Sequence, residues 1–247
     1  MIKSPVPAGF PQTNERAART RGFSMVEMMI SMAVLLVLTG AVFEQIIAMQ
    51  RKSASQEARV DTSQQAREFV DQMVRDLHMS GYPKASMYSV APDNTNPLVA
   101  AGVVSVSPTQ IILEGDINSD GSVESVNVSY VPNSPSNPNC PCIRRSATPK
   151  VAASPLAQPL SLIYTQTDHV IPPGTGPGQS GADLFAFYKV DGTQIDVSDN
   201  PNITSDPARI SAIASVKINV SLLRNEIGAG AGETARTDLS ATARLDQ

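Results

Sequence analysis

Residues Phe23–Phe43 read FSMVEMMISMAVLLVLTGAVF, an apolar run whose one charge is Glu27. A helix needs about 20 apolar residues to cross a bilayer core, so this run is long enough to span one. Ahead of it, residues 1–22 hold Lys3, Arg16, Arg19 and Arg21 against Glu15, a net +3. The whole chain carries −4, which leaves −7 for the remainder. A basic stretch before an apolar run stays on the cytoplasmic side, and an acidic remainder is free to cross. A secretory signal peptide would share this layout. However, no convincing Ala-x-Ala site follows Phe43, and a carboxylate so early in the apolar run is out of character. Twin-arginine targeting lacks its Arg pair. A plain anchor leaves Glu27 unexplained, since an acidic residue deep in a membrane helix costs roughly 3 kcal/mol, less near an end.

The helical pattern continues past the run. Ile46 and Ile47 carry on the apolar face, and a Gln/Arg-rich stretch follows. Then Ala66, Phe69, Val70, Met73, Val74 and Leu77 recur at spacings of three and four, the mark of one helical face. Gly81 and Pro83 are its stop signals. A helix over 23–80 would be roughly 87 Å long at 1.5 Å per residue. Its first half is apolar all round, and its second is amphipathic and needs a domain to cover it.

Arg21-Gly22-Phe23-Ser24-Met25-Val26-Glu27 resembles the class III leader motif of the type IV pilin superfamily. The resemblance implies that a membrane prepilin peptidase cuts after Gly22 and methylates the new amine of Phe23, and that Glu27 pairs with a neighbouring subunit's amine. A carboxylate buried alone is strongly penalised, whereas a paired one fixes register. It also implies a leader (1–22) that is removed, a transmembrane and filament-core helix (23–43), an amphipathic continuation (44–81) and a head (82–247). Implied partners are other pilins and minor pilins and the inner-membrane assembly platform. The implied location is a single pass of the inner membrane with a cytoplasmic N-terminus and periplasmic head, and then the pilus. Within the superfamily the chain is most similar to PilW-type minor pilins. That likeness rests on residues 18–83, with Leu77-His-Met-Ser-Gly-Tyr-Pro83 closing the helix, and more loosely on a Gly-Asp-x-Asn-x-Asp-Gly turn, Arg144-Arg145 and a closing hairpin. The alternatives are a J-type pseudopilin of a type II secretion system and a filament-tip adhesin or binding module.

Beyond Pro83 the period changes to two. Val216, Ile218, Val220 and Leu222 alternate with polar partners, as do Leu239, Ala241, Ala243 and Leu245, with Gly228–Gly232 as the connecting loop. Val126, Val128 and Tyr130 form another such run, and Ile111–Leu113 and Leu184–Tyr188 are shorter ones. Segments 131–142 and 171–182 are too rich in Pro and Gly to be elements. The expected fold is therefore α+β: a long N-terminal helix packed by its amphipathic half on an antiparallel sheet. With 41% hydrophobic residues, 4% aromatic and no Trp, the core must be mainly aliphatic.

Two loops carry candidate chemistry. Asp116, Asn118, Asp120, Ser122 and Glu124 place oxygens at alternate positions around Gly121, as in the first half of a calcium loop. The twelfth position is Asn127 rather than a bidentate Glu, so a bare hairpin turn between 111–113 and 126–130 is the competing explanation. Calcium is the one cofactor in view. Cys140 and Cys142 are the only cysteines, and an i, i+2 bridge is doubtful because disulfides prefer Cα atoms about 5.5 Å apart. They lack partners for a metal site, since neither His78 nor His169 sits at ligand spacing. No nucleophile elbow, phosphate loop, dinucleotide fingerprint or His-Glu-x-x-His is present, so no enzyme is expected. The negative charge and missing basic stripe argue against nucleic acid.

Overall fold

The computed structural model of the chain describes residues 22–88, 95–159, 164–173, 182–225 and 234–245. The leader before Gly22, the Gly228–Gly232 loop and most of the 171–182 loop lie outside them.

One unbroken helix, α1, runs from Met25 to Met79. The chain divides into two compact units, Met1–Met49 and Gln50–Gln247. In the first, every described residue of α1 is exposed, and this stretch is long and apolar enough to cross a membrane. In the second, α1 turns one face inward, burying Ala58, Thr62, Ala66, Phe69, Val70, Met73, Asp76 and Leu77. That is the three-and-four spacing of the sequence.

The rest of the second unit is antiparallel β-structure. One sheet has five strands in the order β1 (Gly102–Val106), β2 (Gln110–Gly115), β3 (Glu124–Val131), β4 (Cys142–Pro149) and β5 (Tyr164–Asp168). The other has the order β7 (Gln194–Ile195), β6 (Phe185–Tyr188), β8 (Ser215–Asn225) and β9 (Thr234–Arg244). A short helix, α2 (Pro207–Ser211), precedes β8 and is capped by the Asp206 carboxylate. The sequence pattern anticipates one sheet, and the structure has two. The chain changes sheets just after β5. There Leu223 N–H donates to His169 O and Ile171 N–H to Ser221 O, so residues 169–171 pair with β8 instead of β4.

α1 and both sheets share one core. Phe69, Met73 and Leu77 pack with Ile111, Leu113, Val126, Val128 and Ile143 of the first sheet and with Phe185, Phe187, Val216, Ile218 and Leu222 of the second. It is aliphatic apart from three Phe rings, as the composition requires. The end of α1 is fixed to β2. Gly81, at φ +82°, turns the chain so that its N–H donates to Glu114 O, and Asp116 N–H donates to Tyr82 O. Ser80 bridges Gly115, whose missing Cβ would lie 2.3 Å from Met79 O. Only glycine lets helix and strand approach this closely.

Candidate functional sites

Gly22, Phe23 and Ser24 precede the helix in non-helical backbone. The first intrahelical bond runs from Met28 N–H to Ser24 O, so the Gly22–Phe23 peptide sits just outside α1. A peptidase needs an extended, accessible segment, and Gly22, Phe23 and Ser24 are exposed, with no described atom outside its chain neighbours within 4 Å of where a Gly22 Cβ would lie. Glu27 lies in the first helical turn, where the positive end of the helix dipole favours a carboxylate. Its side chain is exposed, as are those of the apolar residues around it. An exposed apolar surface of this length needs lipid or other helices to cover it.

At the other end of α1, the Arg75–Pro83 segment is built into the fold. Asp76 is 1% exposed and accepts from Gln72 Nε2 at 2.7 Å and Arg145 Nε at 2.8 Å. Arg145 comes from β4, so this ion pair ties the helix to an inner strand of the first sheet. A second pair, Arg224 with Asp61, ties α1 to β8 of the other sheet, with both side chains far more open to solvent.

The Asp116–Glu124 loop joins β2 to β3 as a hairpin turn. The Asp116 carboxylate accepts from Asp120 N–H (3.1 Å) and Gly121 N–H (3.0 Å). Asn118 Oδ1 accepts from Asp120 N–H, and Asp120 Oδ1 from Ser122 N–H. Glu124 accepts from Ile117 N–H and Asn118 Nδ2. The structure therefore gathers Asp116, Asn118, Asp120 and Glu124, while Ser122 contributes its backbone. These oxygens are engaged by the loop's own donors, which accounts for the residue types without an ion. Among the described residues, no group of three or more His, Cys, Asp or Glu side chains is arranged to hold a metal. Burial pushes the Glu124 carboxyl above its ordinary range, and the nearby Asp120 and Asp116 charges add to that. Hydrogen bonds from Ser122 and Asn118 hold the Asp120 carboxyl below its ordinary range.

Cys140 and Cys142 are joined in a disulfide, contrary to expectation from their spacing. The loop brings their Cα atoms to 4.5 Å, the short end of the range that a bridge accepts. Both cysteines are buried, Cys142 fully, and the bridge closes the Pro-rich loop where β4 begins.

Sequence reasoning missed one polar cluster. Glu114 on β2 and Lys150, just past β4, are fully buried and paired at 2.7 Å. Lys150 Nζ also donates to Val99 O (2.7 Å), and Glu114 Oε2 accepts from Ala101 N–H (3.0 Å). Burial raises the Glu114 carboxyl pKa, against the lowering effect of its bonds to Lys150 and Ala101. Glu114 Oε1 and Ser80 Oγ are buried with no hydrogen-bond partner among the described residues. Only the lone acidic residue in QIILEG hinted at this pair, and such a residue ordinarily marks a solvated face.

The chain carries the prokaryotic N-terminal methylation motif over residues 17–43. No curated protein and no solved structure matches it. The motif, with the apolar helix behind it, indicates a membrane-anchored structural subunit of the type IV pilin or pseudopilin class, processed by prepilin peptidase and associating with other pilins.

Proposed function

We propose that this chain is a minor pilin of the PilW type, a structural subunit that primes or joins a type IV pilus. Cleavage after Gly22 and methylation of Phe23 mature it, and Glu27 then sets its register against neighbouring subunits. The observation that carries this reading is the methylation motif at 17–43, followed by a helical stretch that is exposed over residues 25–49 and long and apolar enough to cross a membrane. The PilW-type assignment draws its support from the likeness over residues 18–83, which closes on Leu77–Pro83 at the end of α1. On this reading the chain passes once through the inner membrane, meets the assembly platform there and ends in the pilus.

Intact-mass analysis of membrane fractions tests the maturation. The expected species begins at N-methyl-Phe23, and Gly22→Ala accumulates as precursor; a mature start near residue 41, or an uncut chain, overturns the reading. Deleting the gene separates the two machines. Loss of surface pili with secretion intact supports the pilus, whereas lost secretion with normal pili assigns the chain to a pseudopilus.

A further inference from the structure

The edges of the two sheets are not alike. That of β1 is covered, since Val106 N–H donates to Pro201 O and Ile203 N–H to Val104 O. β5 is five residues long and its ladder to β4 slips between Ile143 and Arg144. β7 has two residues. β9 has eleven, no proline, and an unbroken register with β8 from Ser215↔Arg244 to Asn225↔Thr234. Among the described residues, no strand pairs with its outer side.

The hydrogen bonds of β8 fix which β9 residues face outward. Asn219 N–H donates to Leu184 O, Leu223 N–H donates to His169 O, and Ser221 O accepts from Ile171 N–H. Each strand residue turns its N–H and C=O to the same side, and the side alternates along the chain. Odd-numbered β8 residues thus face away from β9 and even-numbered ones face it. The register then bonds Thr237, Leu239, Ala241 and Ala243 to β8. It leaves the peptide groups of Arg236, Asp238, Ser240, Thr242 and Arg244 pointing out.

A long, regular edge is a template for another strand unless it is blunted or used. Here the charged side chains select rather than block. Arg236 pairs with Asp238 at 2.8 Å, whereas Arg244 and Lys217, which sit at the same end of the outer face, make no ion pair among the described residues. On the opposite face, Leu239 and Ala241 are only partly buried at the margin of the core. We propose that the outer edge of β9 accepts an extended segment of a partner protein, with apolar side chains over Leu239 and Ala241 and an acidic one facing Arg244 and Lys217. Main-chain bonds to the five outward peptide groups supply the affinity, and the two faces supply specificity. This inference does not depend on the pilin reading.

The test uses the full chain in detergent micelles and a labelled, acetylated peptide, Glu-Val-Thr-Val-Glu-Val-Thr-Val, as the probe. Saturable binding is expected, with hydrogen exchange slowed at least tenfold at the outward amides of Arg236, Asp238, Ser240, Thr242 and Arg244 and unchanged at Thr237, Leu239, Ala241 and Ala243. Ser240→Pro removes one outward N–H and leaves the β8 ladder intact, so it should weaken binding at least tenfold. Ser240→Ala should bind normally, and a peptide with Lys in place of Glu should bind at least tenfold less tightly. Absent protection, or equal binding by Ser240→Pro, overturns the proposal. So does concentration-dependent self-association of the unmodified chain that Ser240→Pro abolishes, which would make the occupant a second copy.

Discussion

Asp116 is the residue on which the β2–β3 turn depends, because its carboxylate takes two backbone N–H groups. Asp116→Ala leaves the Gly121 N–H without its acceptor and the Asp120 N–H with Asn118 Oδ1 alone, and should cost about 1 kcal/mol, read as a lowered melting temperature of the 50–247 unit. The loss should be the same with or without millimolar calcium. A rise in melting temperature that calcium gives, magnesium does not, and Asp116→Ala removes would instead assign the loop to an ion. Gly115 is constrained differently. A Cβ there would meet Met79 backbone atoms at 2.3 and 2.9 Å, and backbone cannot swing aside as a side chain can. Gly115→Ala should therefore destabilise the same unit by about 2–3 kcal/mol, as overpacking does. The turn was legible in the sequence because Asp, Asn and Gly report local geometry. The need for Gly115 was not, because it arises from a helix end 36 residues away.

Among the elements, α1 was the most legible, since its pattern repeats over many turns. β8 and β9 were legible because one face meets the core and the other is more open to water, and β3 because Val126, Val128 and Tyr130 alternate with the half-buried Asn127 and Ser129. β4 and β5 were obscured. The second face of β4 is covered in part, burying Ser146 and Thr148, and on β5 Thr167 is buried on the core face opposite Ile143, so polar residues there no longer mark solvent. Thr148 Oγ1, for example, donates to Pro159 O from the segment lying over it. The ties between α1 and the sheets were equally hidden, since Asp76–Arg145 and Asp61–Arg224 join distant positions. Burial ranks the two. Asp76→Ala leaves the Arg145 guanidinium, 14% exposed, without its partner and should cost about 3–5 kcal/mol. Asp61→Ala breaks a solvated pair and should cost under about 1 kcal/mol. Chemical denaturation of the two variants would show it, and equal losses would mean that burial does not decide their strength.

At the scale of the whole molecule, the two units call for separate measurements. The Gln50–Gln247 unit, the head with the amphipathic half of α1, encloses its own core, so its stability can be followed apart from the membrane helix. The Glu114–Lys150 pair should dominate its dependence on pH. Lys150→Met removes the cation that opposes desolvation, so the Glu114 carboxyl pKa should rise further. A carboxyl raised in the folded state stabilises most below its unfolded pKa, and that contribution is lost as pH rises through the folded value. The deficit of Lys150→Met should thus be smallest in acid and grow towards neutral pH, where it should reach about 3–5 kcal/mol. Glu114→Leu combined with Lys150→Met should recover much of it, because an apolar pair leaves no buried charge.

The membrane unit should respond in the opposite way, through assembly and not through folding. Glu27 is exposed and belongs to the first unit, whereas the core is formed by residues of the second, so Glu27→Leu should leave the melting of the 50–247 unit unchanged. Insertion should also survive, since replacing the carboxylate makes the run more apolar. On the proposed reading, the Phe23–Gly22 cut proceeds, because the scissile peptide lies before the helix begins. What changes is the packed state, where the exposed apolar surfaces of neighbouring subunits cover one another and water is excluded. There the N-methyl amine of a neighbouring chain would lose the carboxylate that neutralises it, and a buried cation without a partner is costly. Glu27→Leu should therefore be matured, inserted and stable, yet absent from sheared filaments, while Glu27→Asp should be partly incorporated. Mass analysis of the membrane fraction alongside immunoblots of sheared filaments would check both halves, and normal incorporation of Glu27→Leu would remove Glu27 from the assembly mechanism.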